Sequence, residues 1–168
     1  MTPSRAIARS NRGMIASPHV AASAAGLEML KNGGNAVDAA IAANAVLAVV
    51  YPASCGLGGD LFALLYKPKS ELFAFNGSGR APKELDARSL RARGMTSMPN
   101  RGALAVTVPG AVRAWADLAL AHGTLALDDL LRPQIQAADA GDGLRLQKPS
   151  RVFVVDLGGH LVVINCWF

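Results

Sequence analysis

Aromatic residues are scarce in this chain, at 5% of its residues, although hydrophobic residues make up 51%. The core must therefore be built from Ala, Val, Leu and Ile, whose side chains let helices pack closely on each other or on a sheet. The scarcity of aromatic residues also affects how the net charge of +5 is interpreted. A basic surface that binds nucleic acid usually interleaves its charges with aromatic rings that stack on bases, and that pattern is missing. We therefore expect a globular protein that does not bind nucleic acid.

Cysteine and histidine are also few. Cys55 and Cys166 are too few for a disulfide framework. His19, His122 and His160 lie far apart in the sequence and share no metal-ligand spacing. We interpret the three histidines as surface or helix-capping residues, and we expect no metal and no cofactor.

The chain has no long uninterrupted apolar run. Its longest apolar stretch, Ala36 to Val50, contains Asp38 and Asn44, whereas a membrane-spanning helix needs about 20 apolar residues. Residues 1–12 carry several arginines but no apolar segment of the kind found in secretory signals. We interpret them as a ragged leader, and we expect a cytoplasmic protein without a membrane partner.

What the chain does contain is an alternation of helix and strand patterns. Ser17 and Pro18 fit the N-cap and first position of a helix that stops at Gly33-Gly34, and Asn35 fits the cap of a second, apolar helix. The other predicted elements are strands at 13–16, 61–66, 71–75 and 104–108, helices at 87–92, 109–122 and 127–140, and tail strands at 151–156 and 160–167. This order predicts an α+β or layered α/β fold.

A glycine-rich turn, Ser54 to Asp60, is the first candidate site. Gly56, Gly58 and Gly59 could cradle a phosphate, but Leu61 stands where a dinucleotide fingerprint needs its third glycine, and a strand follows instead of a helix. The interpretation we favour is a tight connection that allows close backbone approach.

Arg80 is the second candidate, because it follows Gly-Ser-Gly at the end of a predicted strand. A guanidinium there can bind a carboxylate through two parallel hydrogen bonds. The alternative is an ordinary surface arginine. No Gly-x-Ser-x-Gly motif marks a serine nucleophile, and a Ser- or His-dependent hydrolase complete in these residues is a further, weaker alternative.

Several motifs in one order carry a more specific signal. They are Gly13 to His19, Ala25 to Ala40 with Asn-Gly-Gly-Asn-Ala-Val-Asp-Ala-Ala, Pro52 to Asp60, Arg80-Ala81-Pro82, Val106 to Val112, His122-Gly123-Thr124, and Leu131 to Gly141. Together they span residues 13–143 and resemble the front of the large subunit of the gamma-glutamyltransferase family.

That resemblance implies an N-terminal nucleophile hydrolase with a four-layer αββα sandwich, of which this chain would form a part. Family members are precursors that cleave themselves, and the new N-terminal threonine of the small subunit attacks a gamma-glutamyl amide such as glutathione. The α-amine of that threonine acts as the base, and backbone N–H groups form the oxyanion hole. Water or an acceptor amine then resolves the acyl-enzyme.

None of the threonines matches the start of the small subunit; they are Thr2, Thr96, Thr107 and Thr124. We therefore expect the nucleophile in a missing C-terminal half, assign no catalytic residue, and expect this chain to be inactive alone. Residues 144–168 match nothing recognisable and are interpreted as an unrelated apolar tail, for which the explanation we favour is a truncated or frame-shifted gene. Uncovered sheet edges then predict poor stability and self-association.

The resemblance also implies that Arg80 contacts the substrate. In the transferases an arginine four residues before the proline holds the donor's α-carboxylate, but that position is Ser78 in this chain and the arginine comes two residues later. The pattern is typical of a looser branch that includes relatives of cephalosporin acylases. The open alternatives are an acylase-like amidohydrolase and a non-enzymatic module that binds a carboxylate or a partner chain.

Overall fold

The computed structural model describes residues 9–142, 152–157 and 160–167. They form one antiparallel five-stranded sheet with a layer of helices, which confirms the predicted α+β class. The strands are β1 (Met14–Ala16), β2 (Asp60–Tyr66), β3 (Phe73–Gly77), β4 (Val152–Leu157) and β5 (His160–Trp167), in the order β1-β4-β5-β2-β3. The helices are α1 (Val20–Lys31), α2 (Ala36–Val50), α3 (Ala87–Ala92), α4 (Ala111–His122) and α5 (Leu127–Asp139).

The first helix, α1, begins later than the sequence predicts. Its N-cap is His19, whose Nδ1 accepts a hydrogen bond from the N–H of Ala21 at 3.2 Å. The predicted Ser17 cap is wrong, because the Ser17 hydroxyl instead donates to the carbonyl of His19 at 2.8 Å. The interpretation of His19 as a capping residue is confirmed.

The second helix, α2, is the centre of the core. Nearly all of its residues are buried, including Asn44, so it is apolar around most of its circumference and must be covered on most sides. It contacts α1, α4 and α5 as well as β4 and β5. Its small alanine side chains permit this close packing, as the composition predicts.

Asp38 is fully buried in the first turn of α2, and backbone N–H groups satisfy its carboxylate. Its Oδ2 accepts from the N–H of Asn35 at 2.8 Å, and its Oδ1 accepts from the N–H of Thr124 at 3.0 Å. The Asn35 side chain donates to the carbonyl of His122 at 2.7 Å. Donors of this kind, together with the helix dipole, stabilise a buried carboxylate. These contacts fix the start of α2 to the connection between α4 and α5.

The tail strands form the middle of the sheet. β5 pairs with β2 along the whole length of β2, and β4 pairs with β5 on one side and β1 on the other. Val162 and Ile164 are buried in register with Leu65 and Ala63. The two predicted tail strands are therefore present and join β1 to β2; the predicted turn at Gly158-Gly159 lies outside the described residues.

Strand β2 has one buried and one exposed face. Leu61, Ala63 and Leu65 are buried beneath the helices, whereas the alternating residues Phe62, Leu64 and Tyr66 are 36%, 44% and 42% exposed. Because the exposed residues are large and apolar, this side of the strand resembles a surface that a further layer could cover. We call the three exposed residues the open face of β2.

The strand predicted at residues 104–108 is wrong. A 3-10 turn occupies Ala103–Ala105, and the chain then runs on to Pro109 outside the sheet. Val106 and Val108 are 62% and 57% exposed, so this apolar run does not line a core. Pro109 also lacks the N–H that a ladder would use.

None of the helices in the described ranges is long and apolar enough to span a membrane.

Candidate functional site

The glycine-rich turn before β2 anchors the first turn of α4. The carbonyl of Gly59 accepts hydrogen bonds from the N–H of Gly110 at 3.1 Å and from the N–H of Ala111 at 3.0 Å. The turn leads directly into β2, as the tight-connection interpretation requires. Its main chain thus satisfies two N–H groups that a helix start leaves without intrahelical partners.

Asp60, the next residue, joins two segments that are distant in the sequence. Its Oδ1 accepts from the N–H of Gly79 at 2.9 Å and from the hydroxyl of Thr107 at 3.1 Å. Asp60 and Thr107 are both half-buried, so these charge-assisted bonds are partly shielded from water. The carboxylate therefore links the start of β2 to the chain after β3 and to the chain before α4.

The same two segments also touch through their backbones. The N–H of Val108 donates to the carbonyl of Arg80 at 2.9 Å. A Cβ placed on Gly79 would lie 1.4 Å from the carbonyl oxygen of Val108, and one on Gly110 would lie 2.3 Å from that of Gly77. No side chain fits at such distances, so glycine is required for this close approach.

Arg80 takes part in this backbone contact through its carbonyl. Its side chain is exposed, and within the described part of the chain no carboxylate pairs with it. Its backbone is nevertheless fixed, by its own carbonyl and by the N–H of the preceding residue, Gly79. We call residues 78–80 the Arg80 segment. A fixed backbone that carries an unpaired guanidinium is suited to bind a carboxylate from solution.

Ser78 belongs to the same segment and is also exposed. Its N–H donates to Asn76 Oδ1 at 3.0 Å, and its hydroxyl lies 2.7 Å from the same oxygen. The position that holds an arginine in the transferases is therefore occupied here by a hydroxyl that already has a local partner. Arg80 is therefore the cationic residue of this segment.

Asp60 and Thr107 are site residues that the sequence reading did not single out. Two of the motifs contain them, residues 52–60 and 106–112, and a third, residues 80–82, begins directly after Gly79. Their presence in the ordered motifs is a signal that could have identified Asp60 and Thr107. Only the tertiary structure shows that they lie together beside Gly79. A second convergence joins residues 32–40 to 122–124 through Asp38, and its role is to hold the helices together.

His122 lies apart from this site. Its ring packs against Phe73, with the ring centroids 4.9 Å apart. Burial lowers the pKa of His122, and the nearby positive charge of Lys67 lowers it further. Among the described residues, no group of three or more His, Cys, Asp or Glu side chains could hold a metal ion.

The architecture and the ordered motifs place the protein among the N-terminal nucleophile hydrolases that include gamma-glutamyltransferases and cephalosporin acylases. The model of the gamma-glutamyltranspeptidase family matches residues 22–147. The chain belongs to the gamma-glutamyltranspeptidase family.

Individual relatives agree with this assignment. The chain is 43% identical over 130 residues to the glutathione hydrolase-like YwrD proenzyme of Bacillus subtilis, covering 76% of this chain and 24% of that protein. The cephalosporin acylase of Bacillus halodurans superposes with a TM-score of 0.69 at 42% identity, covering 83% of this chain and 27% of the acylase. The gamma-glutamyltranspeptidase of Helicobacter pylori superposes with a TM-score of 0.70 at 33% identity, over 79% of this chain and 39% of that one. The chain thus spans well under half the length of these relatives.

Proposed function

We propose that this chain forms the substrate-binding front part of an enzyme that transfers or hydrolyses gamma-glutamyl amides such as glutathione. In this proposal Arg80 binds a carboxylate of the substrate. The observation that carries it is an exposed guanidinium without a carboxylate partner among the described residues, on a segment whose backbone is held at Gly79 and Arg80. Family membership supports the reaction class.

The fixed backbone matters for affinity. Binding costs the entropy of every group that it immobilises, so a loop that is already ordered loses less on association. A guanidinium on such a segment keeps its forked donors in one region of space, where a carboxylate can accept two parallel hydrogen bonds. Both effects favour Arg80 over a freely mobile surface arginine as a carboxylate contact.

The chemical step belongs to other residues in this proposal. An N-terminal threonine outside these 168 residues attacks the amide carbonyl through its hydroxyl, the C–N bond breaks and the amine leaves with the hydroxyl proton. Water or an acceptor amine then takes the acyl group from the threonine. The 168-residue chain therefore binds substrate without turning it over. The partners of the chain are the small-molecule substrate and the segment that carries the threonine.

The open face of β2 supports a further part of the proposal. Phe62, Leu64 and Tyr66 present large apolar side chains that none of the described helices covers. We propose that the second sheet of the sandwich covers this face, and that copies of the isolated chain self-associate through it. A cytoplasmic location remains a prediction from the sequence.

An acylase-like amidohydrolase is the second candidate, with a carboxylate-bearing acyl amide as substrate. The observation that favours it is Ser78, because the transferase pattern places its arginine at that position. The similarity to a cephalosporin acylase supports it as well. A non-enzymatic module that binds a carboxylate or a partner chain would use the same Arg80 contact.

Binding of two matched anilides to the full chain tests the role of Arg80. Gamma-glutamyl-p-nitroanilide carries the α-carboxylate, and 4-aminobutyryl-p-nitroanilide is the same molecule without it. We expect Arg80→Ala to weaken binding of the first by about tenfold or more and binding of the second hardly at all. Arg80→Lys should lie between wild type and Arg80→Ala, because an ammonium cannot form the bidentate pair.

Arg132→Ala is the control, since Arg132 is an exposed arginine on α5 that pairs with Asp129 at 2.6 Å. It should bind both anilides like the wild type. Equal affinity of the wild type for the two anilides would show that no group of the protein binds the α-carboxylate. Release of p-nitroaniline by the chain alone would contradict the proposed external nucleophile.

A further inference from the structure

We infer that Asp60 is a positioning residue that sets the location of Arg80 for carboxylate binding. This inference rests on the proposed function and adds to it a residue to which the motif resemblance gave no role. It starts from the end of the sheet. Strand β3 finishes at Gly77, so the Arg80 segment has no ladder hydrogen bonds to any described strand.

Two hydrogen bonds take the place of the ladder. The N–H of Gly79 donates to Asp60 Oδ1 at 2.9 Å, and the carbonyl of Arg80 accepts from Val108 at 2.9 Å. They flank the Cα of Arg80 on its two sides. With the Asp60 bond removed, the segment would keep the bond from Val108 to the Arg80 carbonyl and the local bond from the Ser78 N–H to Asn76. Of these two, only the bond from Val108 ties the segment to a distant part of the chain, and the segment could turn about it.

Asp60 also holds the partner of the second bond. The hydroxyl of Thr107 donates to the same Oδ1 at 3.1 Å, directly before Val108 in the chain. One carboxylate oxygen therefore restrains both of the chain segments that form the backbone contact at Arg80. Its own backbone is secured by β2, where Asp60 is the first residue, and by the neighbouring carbonyl of Gly59, which holds α4.

The chemistry of the acceptor explains which substitutions should be tolerated. An ionised carboxylate forms stronger hydrogen bonds than a neutral group, but the side-chain carbonyl of asparagine can still accept from both donors. Alanine can accept from neither. The order of function is therefore Asp60, then Asp60→Asn, then Asp60→Ala. A residue needed only for bulk at this position would show no preference for asparagine.

The test combines amide hydrogen exchange with ligand binding on the full 15N-labelled chain. We expect Asp60→Ala to speed exchange at the Gly79 amide by about tenfold, because its acceptor is lost. Affinity for gamma-glutamyl-p-nitroanilide should fall by about threefold to tenfold, with the thermal midpoint nearly unchanged. Asp60→Asn should recover most of both losses.

Thr107 supplies an independent pair of variants in case Asp60→Ala does not fold. Thr107→Ser retains the donor and should behave like the wild type, whereas Thr107→Val is similar in shape without the hydroxyl and should weaken binding. Asp117→Ala removes a carboxylate that pairs with Arg113 on the surface of α4, and it is the matched control. It should change neither the exchange at Gly79 nor the affinity.

The outcomes separate the two proposals. Faster exchange at Gly79 in Asp60→Ala, together with lower affinity for the glutamyl anilide and unchanged affinity for the 4-aminobutyryl anilide, supports the positioning role. Unchanged exchange and unchanged affinity in Asp60→Ala would overturn it, as would equal losses in the alanine and asparagine variants. If Arg80→Ala binds the glutamyl anilide normally, the proposed function fails, whatever the exchange at Gly79 shows.

Discussion

The indole N–H of Trp115 donates a hydrogen bond to Oδ1 of Asn44, with 2.7 Å between the two atoms. Both side chains are almost completely buried, at 2% and 0% exposure. The bond joins α4 to the centre of α2 across 71 positions of sequence. It explains why a polar residue stands in the middle of an otherwise apolar helix, because a buried polar group is tolerated only when it is hydrogen-bonded.

Trp115→Phe should therefore destabilise the protein by about 2–4 kcal/mol. The change removes the donor to Asn44 and leaves a void where the larger ring was. Equilibrium unfolding in urea, followed by circular dichroism, measures the loss. The control is Leu120→Ala on the same helix, whose side chain is 89% exposed and should change stability by less than about 0.5 kcal/mol. Equal stability of the two variants would show that the buried bond contributes little.

Gly79→Ala should impair ligand binding more than stability. The new methyl group cannot share space with the carbonyl of Val108, so the Arg80 segment must move away from the chain before α4. We expect affinity for gamma-glutamyl-p-nitroanilide to fall by about tenfold or more, because misplaced contacts lose most of their value. Isothermal titration calorimetry measures it. Gly58→Ala is the matched control, since a Cβ on Gly58 meets no atom within 4 Å; normal binding by Gly79→Ala would contradict the close packing.

His122 should make stability depend on pH. Burial and then Lys67 lower its pKa in the folded state below the ordinary value of 6.5, so folding disfavours the protonated ring. The stabilisation is fully present above about pH 6.5 and declines as the pH falls below that value toward the folded-state pKa. His122→Gln should flatten the fall in unfolding free energy between pH 7 and pH 5, measured by urea titration.

Lys67→Gln tests the cause of that shift. Removing the like charge should raise the pKa of His122 toward 6.5, which NMR titration of the ring protons follows directly. Burial, the larger cause, remains in this variant, so the pKa should stay below 6.5. A wild-type pKa at or above 6.5 would contradict both the burial and the charge contribution.

Ile164→Ala tests whether the tail strands belong to the core. Ile164 is fully buried and paired with Ala63 in the neighbouring strand. Truncation of such a side chain should cost about 2–5 kcal/mol in unfolding free energy. Leu64→Ala is the control on the open face of β2, at 44% exposure, and should cost much less. A neutral Ile164→Ala would mean that the sheet does not depend on the tail.

Much of the fold could be predicted from local signals. The apolar run from Ala36 to Val50, with Asn35 before it, is a helix capped as expected. The hairpin around residues 67–70 follows from the continuous apolar run Leu61 to Tyr66 and the turn residues after it. The two wrong predictions concern residues at which contacts with spatially neighbouring residues outweigh the local sequence pattern. The N-cap of α1 is His19 and not the predicted Ser17. Residues 104–108 have the composition of a strand but lie outside the sheet.

The candidate site could be predicted only in part. Arg80 was identified from its position after Gly-Ser-Gly and from the family resemblance, and its role in binding is still a prediction. Asp60 and Thr107 could not be identified as its supports, because their hydrogen bonds span 19 and 47 positions of sequence. The interpretation of residues 144–168 as an unrelated tail also stays untested, although β4 and β5 lie at the centre of the sheet.

The sequence by itself determined the helices, the hairpins, the α+β class and the family, since these depend on periodicity, capping and ordered motifs that are local in the chain. Only the tertiary structure decided that three motifs meet around Asp60, that Asp38 holds the connection between α4 and α5, and that the tail fills the middle of the sheet. The physical reason is that such contacts depend on which distant segments are brought within hydrogen-bonding distance, and that distance is set by the packing of the whole core.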